Sequence, residues 1–160
     1  MSLRLHHIGI LTGDIFTQKQ IYQNRFGFDT ESGVIHDPRQ TAFVQFIKLP
    51  QDEVYLEFVS PDGPDSKLSQ ALRNGVGLHH LCYSTDSLDD TCKQLREKGM
   101  TLVRPPKEAT AFPGRRIAWL MGRDRILIEL VEQDSGEGLP APEASAVAEE
   151  LDRSAEDAAL

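Results

Sequence analysis

The sequence predicts an α+β fold built from two tandem βαβββ modules. Three observations carry that prediction: a motif that returns after 73 residues, an amphipathic stretch that follows each copy, and an apolar hexamer with a central carboxylate that closes each copy. Leu5-His6-His7-Ile8 recurs as Leu78-His79-His80-Leu81, and Val54-Tyr55-Leu56-Glu57-Phe58-Val59 recurs as Ile126-Leu127-Ile128-Glu129-Leu130-Val131 at an offset of 72. The chain has 160 residues, 39% hydrophobic and 26% charged, which suits one packed domain and excludes wholesale disorder.

Each element follows in order. The first histidine strand runs into Thr12-Gly13-Asp14-Ile15, a turn, and then into residues 16–26, where Ile21, Tyr22 and Phe26 continue from Ile15 at spacings that fit one buried helical face. Gly27 stands where a helix C-cap belongs. Strand candidates follow at about 28–36 and 41–48, then the Glu57 hexamer. Ser60-Pro61-Asp62-Gly63-Pro64-Asp65-Ser66, a short helical run at 67–73 and the loop Asn74-Gly75-Val76-Gly77 join the copies. In the second copy Thr85-Asp86-Ser87-Leu88 opens a helix over 89–98 with Leu88, Cys92 and Leu95 on one face, Gly99 ends it, and strands follow at about 101–104, 115–121 and 126–131.

One domain over 1–133, with modules at about 3–60 and 76–133, is therefore expected. The net charge of −8 sits almost wholly beyond it: residues 134–160 hold eight acids against one base, leaving −1 for residues 1–133. That Ala/Glu-rich segment reads as a disordered or weakly helical acidic tail. A near-neutral body without a basic stripe gives no electrostatic support for nucleic acid. No apolar run reaches the roughly 20 residues of a membrane span, and the N-terminus has no signal-peptide pattern, so a cytoplasmic protein is expected. Cys82 and Cys92 form no CxxC pair and read as reduced thiols.

A carboxylate at the centre of an apolar strand is costly unless it is paired or bound to a cation. Here it occurs twice at equivalent places, together with two equivalent strand histidines. A pseudo-twofold relation between the modules would bring His7, Glu57, His80 and Glu129 to one point, as ligands of a divalent ion such as Zn, Co, Ni, Fe or Mn. Strand alternation puts His6 and His79 on the opposite face, away from that point, and His36 reads as a loop residue. Arg39 is a candidate to hold a substrate carboxylate or phosphate. Lys107, Arg115 and Arg116 form the tight basic group of the body, suited to a phosphate-bearing carrier such as coenzyme A. Phe43, Phe46, Phe112 and Trp119 are core or pocket wall, with no assigned role.

These residues resemble the vicinal oxygen chelate superfamily, which includes glyoxalase I, methylmalonyl-CoA epimerase, extradiol dioxygenases and drug-resistance binding proteins. The resemblance covers about 5–133. Leu5-His6-His7-Ile8-Gly9-Ile10 and the helix ending Tyr22-Gln23-Asn24-Arg25-Phe26-Gly27-Phe28 are superfamily-wide. Glu57-Phe58-Val59-Ser60-Pro61, Asp65-Ser66-Lys67-Leu68 and Gly77-Leu78-His79-His80-Leu81 resemble the methylmalonyl-CoA epimerase branch. The resemblance implies a cupped, barrel-like mixed sheet around a metal site, one divalent ion per chain, a homodimer, and an isomerase or epimerase that abstracts a proton α to a carbonyl or acyl thioester. Glu129 is then the first candidate base, with Glu57 serving the opposite face. Two departures stand out: Glu57 occupies a position commonly Gln in the epimerases and Glu in glyoxalase I, and Arg39 falls where the epimerases carry a second catalytic Glu. A glyoxalase I-type lactoylglutathione lyase and a non-catalytic small-molecule binding or resistance protein are the alternatives.

Overall fold

The structure is a computed structural model that describes residues 1–133; the acidic tail expected at 134–160 lies outside the described residues. The elements are β1 (Leu3–Leu11), α1 (Ile15–Phe26), β2 (Thr30–Glu31), β3 (Ile35–Asp37), β4 (Ala42–Lys48), β5 (Tyr55–Pro61), α2 (Ser69–Arg73), β6 (Gly77–Thr85), α3 (Leu88–Glu97), β7 (Thr101–Glu108), β8 (Arg116–Met121) and β9 (Leu127–Glu132). The α+β class and the curled, half-barrel mixed sheet are as the sequence predicts. Strands run in the order β2-β4-β5-β1-β6-β9-β8-β7, with β3 also on β4. β1 pairs parallel with β5, β6 pairs parallel with β9, and β1 and β6 meet antiparallel at the seam, so each half mirrors the other about that seam.

Local chemistry sets the element ends. Asp14 caps α1 by accepting from the Thr17 N–H, and Gly27 closes the helix at φ +78°, a left-handed conformation glycine adopts without strain. The strand candidate at 28–36 is instead two short pieces, β2 and β3, both paired with β4. Ser32 and Gly33 interrupt it, and the Ser32 hydroxyl takes the Phe46 N–H where a ladder bond would stand. β7 extends past the expected 104 to Glu108. Pro105 and Pro106 are tolerated there because β7 is the edge of the sheet.

Alternation along the strands separates two layers of packing. On the convex side Ile15 of α1 packs with Ile47 and Phe58 of the sheet, and Leu88 and Cys92 of α3 pack with Ala118, Leu120 and Leu130. Inside the cup lie Val44, Phe46, Tyr55, Val59, Cys82, Phe112 and Val131. Full burial of a side chain such as Phe46 or Phe58 contributes about 1.5–3 kcal/mol. The carboxylates of Glu57 and Glu129 alternate with Phe58 and Leu130, so they point into the cup while their neighbours anchor the helices.

Candidate functional site

Four buried side chains converge inside the cup from four central strands: His7 on β1, Glu57 on β5, His80 on β6 and Glu129 on β9. His7 Nε2 lies 2.9 Å from His80 Nε2, 3.5 Å from Glu57 Oε2 and 3.1 Å from Glu129 Oε2. His80 Nε2 lies 3.1 Å from Glu57 Oε2 and 3.3 Å from Glu129 Oε2. His7 Nε2, His80 Nε2 and Glu57 Oε2 thus form a triangle with sides of 2.9, 3.1 and 3.5 Å, and Glu129 Oε2 reaches both histidines from its own strand. Glu57 Oε2 is buried and accepts no aligned hydrogen bond among the described residues. Two imidazole nitrogens and the Glu57 carboxylate lie close enough together to hold a borderline divalent cation, and Glu129 offers a further oxygen within 3.3 Å of both histidines.

Without a cation the cluster shares protons instead. Burial alone would lower the His80 pKa, but Glu57 and Glu129 raise it to about 9. Burial would raise the Glu129 carboxyl, yet hydrogen bonds from His7 and His80 hold it well below the usual carboxylate range. Burial and the charge at Glu129 push the Cys82 thiol well up, so it stays protonated beside His7. Cys82 and Cys92 are both free thiols, as expected.

His6 and His79 correct the alternation argument. The β1–β6 register slips between Leu5 and His7 on β1, and again between His80 and Leu78 on β6, so His6 and His79 are the extra residues of two bulges. His6 therefore does not face away: it is fully buried against Tyr55 and Phe112, with Nδ1 2.8 Å from His7 Nδ1. His79 Nδ1 lies 2.8 Å from His80 Nδ1 in the same way, and burial together with neighbouring His80 lowers its pKa to about 4. The doubled His-His pair was the available sequence signal, but a bulge leaves no mark in an alternation count. His36 lies in β3 rather than a loop, 2.9 Å from Asp62.

The cluster opens outward through a recess of about 10 Å³ between Glu57, Glu129, Asp37, Gln40 and the 109–112 loop, room for about one water. Asp37, Gln40, Thr110 and Ile117 also line a cavity of about 740 Å³ whose rim carries Arg39, Lys67, Arg104 and Lys107 and whose wall includes Trp119. Arg39 and Lys107 thus face one space. Arg115 and Arg116 do not join them in that lining: Arg115 donates to the Glu132 carbonyl and lies over the Phe112 ring, and Arg116 is paired with Asp89 and Glu132. The local basic group read from the sequence is split because Arg116 starts β8 on the α3 side, while Lys67 and Arg104, not singled out in the sequence, arrive from other segments.

The turn after β3 holds this rim in place. The Asp37 carboxylate accepts from the Arg39 and Gln40 N–H groups and from the Gln40 side chain. Thr41, at φ +55°, accepts from the Lys67 N–H through its hydroxyl, and the Ser66 hydroxyl donates to its carbonyl. Arg39 donates to the Glu108 carbonyl across the mouth. Phe112 and Phe46 pack on the His7 ring, and Trp119 stands edge-on to His80 at 4.9 Å. These aromatic walls shield the two histidine rings from water.

This duplicated sheet, with the donors at its seam, defines the class. The sequence model of the glyoxalase/bleomycin resistance protein/dioxygenase superfamily matches residues 6–119, and the chain belongs to that superfamily. An ethylmalonyl-CoA/methylmalonyl-CoA epimerase of Cereibacter sphaeroides is 27% identical over 132 residues, 79% of this chain and 96% of that protein. A variant of the Streptomyces coelicolor methylmalonyl-CoA epimerase, solved with 2-nitronate-propionyl-CoA, superposes with a TM-score of 0.71 at 28% identity, over 82% of this chain and 98% of that one. The Mycobacterium tuberculosis methylmalonyl-CoA epimerase gives 0.71 at 26% identity, over 80% and 86% of the two chains. Among the described residues no helix is long and apolar enough to cross a membrane.

Proposed function

We propose that the protein is a divalent-metal-dependent epimerase that inverts a carbon α to the carbonyl of an acyl thioester, with His7, Glu57, His80 and Glu129 holding the ion. The observation that carries this reading is the convergence of His7, Glu57 and His80 within 3.5 Å of one another, with Glu129 within 3.3 Å of both histidines, beside a recess that shares its lining with a cavity rimmed by cations. A cation held there supplies Lewis-acid stabilisation of the negative charge that develops on the carbonyl oxygen.

The chain's own residues do the rest. Glu129, as a carboxylate, takes the α-proton as the C–H electron pair moves toward the carbonyl, and Glu57, which enters this step protonated from solvent, gives its proton to the opposite face; the step leaves Glu129 protonated and Glu57 ionised, and proton exchange with solvent restores the pair. The small recess, about one water in volume, marks where the reacting carbonyl oxygen would sit. Arg39, Lys67, Arg104 and Lys107 then receive the phosphates of a coenzyme A carrier in the larger cavity, and Phe112 closes over the donors and excludes water. The proposed setting is a cytoplasmic homodimer acting on a small-molecule thioester. Glu57 favours a second reading, a glyoxalase I-type lyase acting on a thiol adduct, because that enzyme resembles this chain in having Glu at this position.

The test is metal content by elemental analysis, followed by deuterium wash-in from D₂O into a panel of racemisable acyl-CoA thioesters. One ion per chain with exchange at the α-carbon is expected. One ion without exchange, but with turnover of a glutathione–oxoaldehyde adduct, would favour the lyase. Absence of stoichiometric metal would overturn both and leave a binding protein.

A further inference from the structure

We propose that His6 and His79 are positioning residues: each accepts the Nδ1–H of the histidine that follows it, which fixes His7 and His80 in the tautomer whose Nε2 lone pairs face one cation. This inference rests on the metal-binding reading above. In each pair the facing Nδ1 atoms are 2.8 Å apart, a gap that holds one hydrogen, so one ring donates and the other accepts. The Nε2 atoms of His7 and His80 face each other at 2.9 Å, which also leaves room for one hydrogen. With neutral rings, at least one of the two must therefore carry its hydrogen on Nδ1. Two Nε2 ligands on one ion require it of both, and the acceptors can then only be His6 and His79.

The backbone supports the same assignment. A bulge re-aims a side chain that regular alternation would send to the other face. Here two bulges do so, one on each side of the seam, and each delivers the histidine that precedes a donor. His6 is sealed between Tyr55 at 5.7 Å and Phe112 at 5.2 Å, whereas His79 is partly exposed beside Trp119 at 6.4 Å. The orienting partner is therefore rigid in the first half and accessible in the second.

The test combines Co²⁺ titration by visible absorption with histidine nitrogen NMR of the Zn²⁺-loaded full chain. His6→Phe and His79→Phe keep a ring but remove the acceptor, and each should weaken Co²⁺ binding about 10–100-fold. His6→Asn and His79→Asn, whose amide oxygen lies near the place of Nδ1, should restore affinity to within a few-fold. The spectra of the unaltered protein should show His7 and His80 with exchange-protected Nδ1–H groups, and His6 and His79 with their hydrogens on Nε2. Phe variants that bind as tightly as wild type, or a ligand ring without an Nδ1 hydrogen, overturn the proposal alone. No Co²⁺ uptake by wild type overturns the metal reading and this inference together. Should His6→Phe not fold, His79→Phe at its partly exposed position and the wild-type spectra still decide.

Discussion

Across the seam between β1 and β6, His7 stands opposite Cys82, whereas His80 stands opposite Gly9. Gly9 and Cys82 hold the same place in the two copies, each two residues past its donor histidine. A Cβ at Gly9 would lie 2.2 Å from His80 Cε1 and Nδ1, so the His80 ring rests directly on bare backbone. The His7 ring has a buried thiol beside it instead. Duplication fixes where the backbone brings the donors, and the side chain opposite decides how tightly each ring is held. The carboxylates differ similarly: Glu129 is hydrogen-bonded by both histidines, while Glu57 leaves Oε2 without an aligned bond.

The largest expected effect tests that inequality of the carboxylates. Glu129→Gln and Glu57→Gln should each slow inversion by about 10²–10⁴-fold, but Glu129→Gln should remove deuterium wash-in from the first stereoisomer while Glu57→Gln retains it. Equal loss of wash-in in both variants would break the assignment of one carboxylate to each face. Gly9→Ala comes next. The new methyl displaces the His80 ring, and metal affinity should fall more than 100-fold in an equilibrium dialysis assay, at a stability cost of about 1–3 kcal/mol. Retained affinity would mean that the close approach is relieved without moving the donor.

Acidity gives a smaller, graded contrast. In the metal-free protein the proton on His80, held up to about 9, must leave before a cation enters. Metal affinity should rise with pH to about 9 and then level off, and uptake at neutral pH should release about one proton, read in a lightly buffered titration. The stabilisation from that proton is complete below the ordinary histidine pKa and is lost as pH rises through 9, whereas the contribution of Glu129 is present above the ordinary carboxylate pKa and is lost on acidification. Uptake without proton release would place the proton elsewhere. On the rim, Lys107→Ala should raise KM for a CoA thioester about 3–10-fold, and Arg116→Ala, tied to Asp89 and Glu132, should leave it unchanged. Cys82→Ala is the mildest change, with an expected loss of about 1 kcal/mol in a denaturant melt and an unaltered metal content.

The repeat made the fold class and the convergence of four side chains legible, because a buried carboxylate and a strand histidine each recur in register with the duplication. His6 and His79 were misread because register slips are set by pairing between strands, which a single strand's pattern does not record. The rim was half legible. Arg39 and Lys107 line one cavity, and Lys67 and Arg104 join them there only through the stitching of the 62–68 linker to the turn at Thr41 and through the edge strand β7. Arg115 and Arg116 follow Lys107 in the sequence pattern but both turn to Glu132, Arg115 to its carbonyl and Arg116 to its carboxylate, outside the lining of that cavity.

Because each module contributes one histidine and one glutamate, an ion at the seam would act as a cross-link between the two halves. Its binding energy would then appear as resistance to their separation. By mass action each tenfold excess of free ion over the dissociation constant adds about 1.4 kcal/mol to the unfolding free energy, so chelator and ion become opposing controls on how long the chain survives heat or protease. A melting temperature that ignores cation concentration would show that the seam holds without such a cross-link.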